Sequence, residues 1–231
     1  MERIAVYAAT RNMYKYLPMT IGSLLRSNPK TCVLVIAEDE YIDTLQHPNV
    51  VIIPFHPYCS KLLDEKGPNY NSHWTHMTLA RLCLPKILHH SRCLWLDVDT
   101  IVLDNLDELF SLNMDKKVLA GVMEPRKLIE EENPRPYWNA GVMLMNLDLI
   151  RELHLDDKIL ELINTKKFRF PDQDVLNIIS RGRMEYLHPQ WNVSPSTTNT
   201  AKPKIIHFTF KKIWDDPYVK LWKEFYKERL D

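Results

Sequence analysis

The chain has 231 residues, 45% of them apolar and 26% charged, which excludes a disordered segment and leaves room for a sizeable core. Lys plus Arg and Asp plus Glu balance at 30 each, so no broad electrostatic pull on nucleic acid or acidic membranes is expected. No apolar run approaches membrane-spanning length, and the apolar stretch of MERIAVYAAT is too short for a secretory leader. Cys32, Cys59, Cys83 and Cys93 form no C-x-x-C pair, which argues against a zinc knuckle and for reduced core thiols. The expectation is a cytoplasmic protein, at most peripherally associated with a membrane.

Taken in chain order, Ile4–Ala9 reads as a short apolar strand. Pro18 then suits a helix start ahead of the stripe Ile21, Leu24 and Leu25. Strands are predicted at Thr31–Ala37 and Val50–Phe55, followed by a helical stripe at Leu79, Leu82 and Cys83 and a strand over Cys93–Asp97. Further strands are predicted at Val118–Met123 and Gly141–Leu147. One periodic segment runs from Leu149 towards Ile163 and another from Val175 to Ile179, before a last strand at Lys204–Thr209. Strands alternating with helices predict an α/β fold with a mostly parallel sheet, whose ligands bind beyond the carboxyl ends of the strands. That rule singles out residues just after Ala9, Leu96 and Ile206.

The motifs at those ends are polar. In LWLDVDT, alternation aims Asp97 and Asp99 the same way, and two carboxylates so close favour a cation between them. Hard oxygen ligands suit magnesium, manganese or calcium; a solvated strand end followed by a turn is the plain alternative. In KIIHFTFKKIW, His207 ends an apolar strand with Lys212 close behind, a pairing that fits either a structural histidine or a metal and phosphate site. In YWNAGVMLMNL, Asn139 precedes a buried strand and Gly141 permits close backbone approach. In FPDQDVLN, Pro171 and Asp172 read as a helix start, from which Asp172 and Gln173 are able to bond sugar hydroxyls. The chain has five glycines and no glycine-rich phosphate loop, so a diphosphate here needs a cation and side chains.

Together these segments resemble glycosyltransferase family 8, the group that includes glycogenin and bacterial α-galactosyl- and α-glucosyltransferases. The matches are YAATRNMY, LARLCLPKIL, LWLDVDTIVLDNLDELF, YWNAGVMLMNL, DQDVLN and HFTFKKIW, in family order from about Ile4 to Trp214. The resemblance implies a single-domain GT-A fold, Rossmann-like, with a nucleotide-binding half at about 1–100, a sugar and acceptor half at about 101–215 and a C-terminal helix at about 216–231. It implies a manganese or magnesium ion, a UDP-sugar donor, a glycan or other hydroxyl acceptor, and hexosyl transfer with retention; no nucleic-acid partner and no particular oligomeric state are implied. By the same resemblance Asp97 and Asp99 are the Asp-x-Asp pair, flanking Val98, and His207 is the third metal ligand. Ala8, Thr10 and Tyr14 match positions around the uridine, and Arg81 one near the diphosphate and sugar. Asn139, Ala140, Asp172 and Gln173 match positions around the donor sugar, and Lys212 one at the diphosphate. Asp172, Gln173 and Lys212 carry the catalytic roles, whether by direct return on the leaving-group face or by double displacement. Phe210 stands where members usually have glycine. A metal-dependent nucleotidyltransferase or phosphohydrolase, and an inactive sugar-nucleotide-binding module, are the alternatives.

Overall fold

The computed structural model of the chain describes residues 2–73, 75–124, 136–195 and 202–209. Seven strands form the main sheet: β1 (Ile4–Ala9), β2 (Cys32–Ala37), β3 (Val50–Pro54), β4 (Arg92–Leu96), β6 (Leu119–Met123), β7 (Trp138–Asn146) and β8 (Met184–Tyr186). Their order is β3-β2-β1-β4-β7-β6-β8. β5 (Thr100–Val102) and β9 (Ile205–His207) pair separately and antiparallel. Four pairings of the main sheet are parallel, and only those of β7 with β4 and β6 are antiparallel.

The central strands are largely apolar because both faces are covered. Along β1, Ile4 and Val6 pack on one side while Ala5, Tyr7 and Ala9 pack on the other; β4 divides Cys93 and Trp95 from Leu94 and Leu96 in the same way. The first side is covered by α3 (Ala80–Ile87), α5 (Leu147–Glu152), α6 (Leu155–Thr165) and α7 (Pro171–Ile179). The second is covered by α1 (Leu17–Ser27) and the single turn α4 (Asp107–Phe110). Another single turn, α2, follows β3 at Phe55–Tyr58. Each large side chain buried this way stabilises by about 1.5–3 kcal/mol, so the layering is set by apolar burial. All four cysteines are free, and burial pushes the Cys93 thiol up to about 12 against the opposing charge of Arg151, as expected of a core residue.

The seven predicted strands are all present, with ends displaced by a few residues. β5 and β8, three residues each, were not predicted. The stripe from Leu149 towards Ile163 is two helices, because His154 adopts φ 53° and breaks the helix between α5 and α6. The predicted C-terminal helix lies outside the described residues.

The site is a consequence of this order. β1 and β4 run parallel, so Ala8–Thr10 and Asp97–Asp99 leave the sheet at one edge. β7 runs the other way, so its first residues, Trp138–Gly141, reach that edge from the opposite direction.

Candidate functional site

A cavity of about 320 Å³ opens at this edge, of the size that binds a small molecule. Ala8, Ala9, Thr10, Asn12 and Met13 form one wall; Arg81, Asp97, Val98, Asp99, Asn139, Ala140, Gly141, Asp172, Gln173 and His207 form the rest with several neighbours. Eleven of the thirteen residues singled out in the sequence therefore meet in one place. Tyr14 does not line it: its hydroxyl accepts from the Asp39 backbone N–H at 3.0 Å. Lys212, like Phe210, lies outside the described residues.

Asp97 and Asp99 are held on a tight turn. The Asp97 carbonyl accepts from Thr100 N–H at 3.1 Å and from the Thr100 hydroxyl at 2.7 Å, and Phe208 N–H donates to the Asp99 carbonyl at 3.0 Å. Thr100 pairs with His207 in the β5–β9 register, which sets the histidine behind the two carboxylates. His207 Nε2 lies 3.3 Å from Asp99 Oδ1 and 3.6 Å from Asp97 Oδ2. Ligand atoms of the three residues fit within 4.8 Å of one another. Two carboxylates and an imidazole converging at this distance are the donor set of a divalent cation, and carboxylate-rich sets suit magnesium or manganese.

Gly141 makes this packing possible. A Cβ there would stand 2.0 Å from His207 Cε1, inside the ring's own volume. The close approach expected at this glycine is thus that of the histidine ring.

Arg81 is 4% exposed and ties the carboxylates together. It donates to Asp97 Oδ1 at 2.7 Å and to the Ala140 carbonyl at 2.5 Å, and it pairs with Asp172 Oδ2 at 3.1 Å, while its guanidinium lies 4.5 Å from the Trp95 ring centre. Trp95 Nε1–H also donates to Asp97 Oδ1, at 2.8 Å. One oxygen of Asp97 is thereby occupied and the other faces His207. Burial pushes the Asp172 carboxyl above its ordinary range; Arg81 opposes that shift and Asp97 reinforces it. Gln173 follows on the first turn of α7, where its Oε1 accepts from the Ala140 N–H at 2.9 Å.

Two residues at this site carried no signal in the sequence. Asn192 lies 3.0 Å from His207 Nδ1, and Glu124 accepts from the Asn139 amide at 2.8 Å. Glu124 directly follows β6 and Asn192 follows the helical turn Pro189–Trp191, both outside any recognisable motif.

A profile of the glycosyl transferase family 8 sequences matches residues 5–217. The chain belongs to this family. Among its relatives, the glycosyltransferase GlyD of Streptococcus pneumoniae serotype 4 is 26% identical, the match covering 98% of this chain and 31% of GlyD. The lipopolysaccharide 1,2-glucosyltransferase of Escherichia coli strain K12 is also 26% identical, over 53% of this chain and 39% of the relative. The match thus spans well under half the length of either protein. The fold is that of GT-A glycosyltransferases. Galactosyltransferase LgtC, solved with donor and acceptor sugar analogues, superposes with a TM-score of 0.78 at 19% identity, covering 99% of this chain and 96% of LgtC. GlyE of Streptococcus pneumoniae superposes with a TM-score of 0.74 at 21% identity, over 97% of this chain and 60% of GlyE. Among the described residues, no helix is long and apolar enough to cross a membrane.

Proposed function

We propose that this family 8 chain moves a hexose, glucose or galactose, from a UDP-sugar to a hydroxyl of a glycan acceptor, with retention at the anomeric carbon. The observation that carries the reading is the Asp97–Asp99–His207 cluster at the wall of a ligand-sized cavity. Residues with the roles of a glycosyl transfer site surround it. These three side chains would hold a manganese or magnesium ion, which would supply positive charge where the departing diphosphate becomes more negative.

The chain's own groups divide the remaining work. Ala8 and Ala9 are small, so the wall they form with Thr10, Asn12 and Met13 has room for a nucleoside. Arg81 fixes Asp97 and Asp172 relative to each other, which sets the distance between the diphosphate end and the sugar end. Asn139, Ala140, Asp172 and Gln173 surround the sugar end. Because the Ala140 N–H engages the Gln173 oxygen, Gln173 offers its amide nitrogen as a donor to a sugar hydroxyl. Of the two side chains, Asp172 has the chemistry of a nucleophile. Lys212 is assigned to the diphosphate on the motif alone.

Calorimetry with manganese present tests the donor: UDP is expected to bind at least about tenfold more tightly than GDP or ADP, a difference of about 1.4 kcal/mol. Equal affinities would remove the uridine reading. NMR of the first-formed product from an α-linked donor is expected to show an α-linkage, and a β-linked product contradicts retention.

A further inference from the structure

Whether His207 can serve as a ligand through Nε2 depends on which ring nitrogen carries the proton. Nε2 faces the two aspartates, and Nδ1 faces Asn192 Oδ1 at 3.0 Å. A line of polar groups continues from there. Asn192 Nδ2 donates to Asn139 Oδ1 at 2.9 Å; that oxygen also accepts from Gly141 N–H at 2.9 Å, and Asn139 Nδ2 donates to Glu124 Oε2 at 2.8 Å.

The direction of this line is fixed from its far end. A backbone N–H only donates, so the Asn139 atom facing Gly141 has to be oxygen. The remaining Asn139 atom is then the amide nitrogen, and it meets a carboxylate oxygen, which accepts. The Asn139 oxygen needs a donor from Asn192, so Asn192 turns its nitrogen there and its oxygen towards His207. The ring atom facing that oxygen has to be an N–H. In the neutral ring Nε2 then carries the lone pair, aimed between Asp97 and Asp99. His207, Asn192 and Asn139 are only 4%, 7% and 6% exposed, so water is a poor substitute for any link.

We propose that Asn192, oriented by Asn139 and Glu124, is a positioning residue that holds the proton on His207 Nδ1 and so keeps Nε2 ready for a divalent cation. The proposal rests on the cation reading above. It goes beyond that reading by naming the groups that make the histidine a competent ligand.

The test measures manganese affinity by electron paramagnetic resonance of the free ion, alongside thermal melts. Asn192→Ala is expected to bind manganese about ten- to a hundredfold more weakly than the wild type while remaining folded. In a His207→Ala background the same substitution is expected to change manganese affinity no further, because its effect runs through the ring. Nitrogen-15 NMR of the cadmium-loaded wild type is expected to show the His207 proton on Nδ1. Wild-type manganese affinity in Asn192→Ala overturns the proposal. So does an undiminished effect of that change when His207 is already absent, or a cadmium-loaded wild type with Nδ1 bare, a result that requires no variant to fold. A wild-type protein that binds no manganese, with or without UDP, overturns the cation reading itself and this proposal with it.

Discussion

At the carboxylate end of the cavity each side chain is gripped by the sheet. Asp97 is bonded to Arg81 and Trp95, His207 sits on Gly141, and the amides of Asn139 and Asn192 are bonded on both sides. At the β1 end the contacts are superficial. Arg11 is 71% exposed and turns away to Asp39, which it meets at 2.6 Å, while its backbone N–H donates to Glu38 at 2.8 Å. Thr10 bonds within its own turn to Asn12. One end is positioned by buried, interlocking strand ends, the other by a loop tied down with surface charges. On the proposed reading, the scaffold presets the geometry of the charged chemistry and leaves recognition of the nucleoside to an exposed loop.

This contrast can be broken most severely at Gly141. In Gly141→Ala the added methyl has to displace the His207 ring, and a shift of about 1 Å in such a site costs on the order of a hundredfold in rate. Overpacking of this kind also destabilises by about 1–3 kcal/mol. Steady-state kinetics and a denaturant melt check both, and wild-type kcat would mean that the ring's place is immaterial.

A smaller effect is expected at Asp172, where catalysis and stability pull apart. Its folded-state pKa is raised, chiefly by burial, so the native protein holds that proton more tightly than the unfolded chain. Its contribution to stability is thus complete below the ordinary carboxylate range and is lost as pH rises through the raised value. Asp172→Asn is expected to flatten this part of the stability–pH curve, and to be no less stable than wild type at neutral pH while its kcat falls. Chemical denaturation at a series of pH values checks the sign; a variant that is less stable at neutral pH contradicts it.

The smallest effect is expected at the loop. Arg11→Ala removes an exposed ion pair, so the melting temperature should hardly move and KM for the donor should change by less than about threefold. A large rise in KM would show that the β1 loop is as tightly specified as the carboxylate end, and the contrast would fail.

The same division explains what could be read from the sequence. The central strands were legible because burial on both faces makes them apolar runs, as in CVLVIA of β2. Asp97, Asp99 and His207 were legible because each ends such a run. The Arg81 bridge between Asp97 and Asp172 was not, since it joins α3, β4 and α7, which meet only in the folded chain. Asn192 was hidden for a related reason. It reaches His207 through the bridge of Val193 with Ile206 of β9, and the segment that carries Asn192 and Val193 has no period of its own. β5 was not legible either, yet it is what fixes His207 opposite Thr100.

The most direct test of the central claim is hydrolysis of UDP-glucose and UDP-galactose, followed as UDP release with manganese, after addition of excess chelator, and after manganese is restored. The cluster of Asp97, Asp99 and His207 predicts that turnover stops with chelator and returns with the ion. It also predicts that Asp99→Asn, still folded, loses activity by about a thousandfold with manganese present. Full turnover in excess chelator, or wild-type activity in Asp99→Asn, would contradict the account.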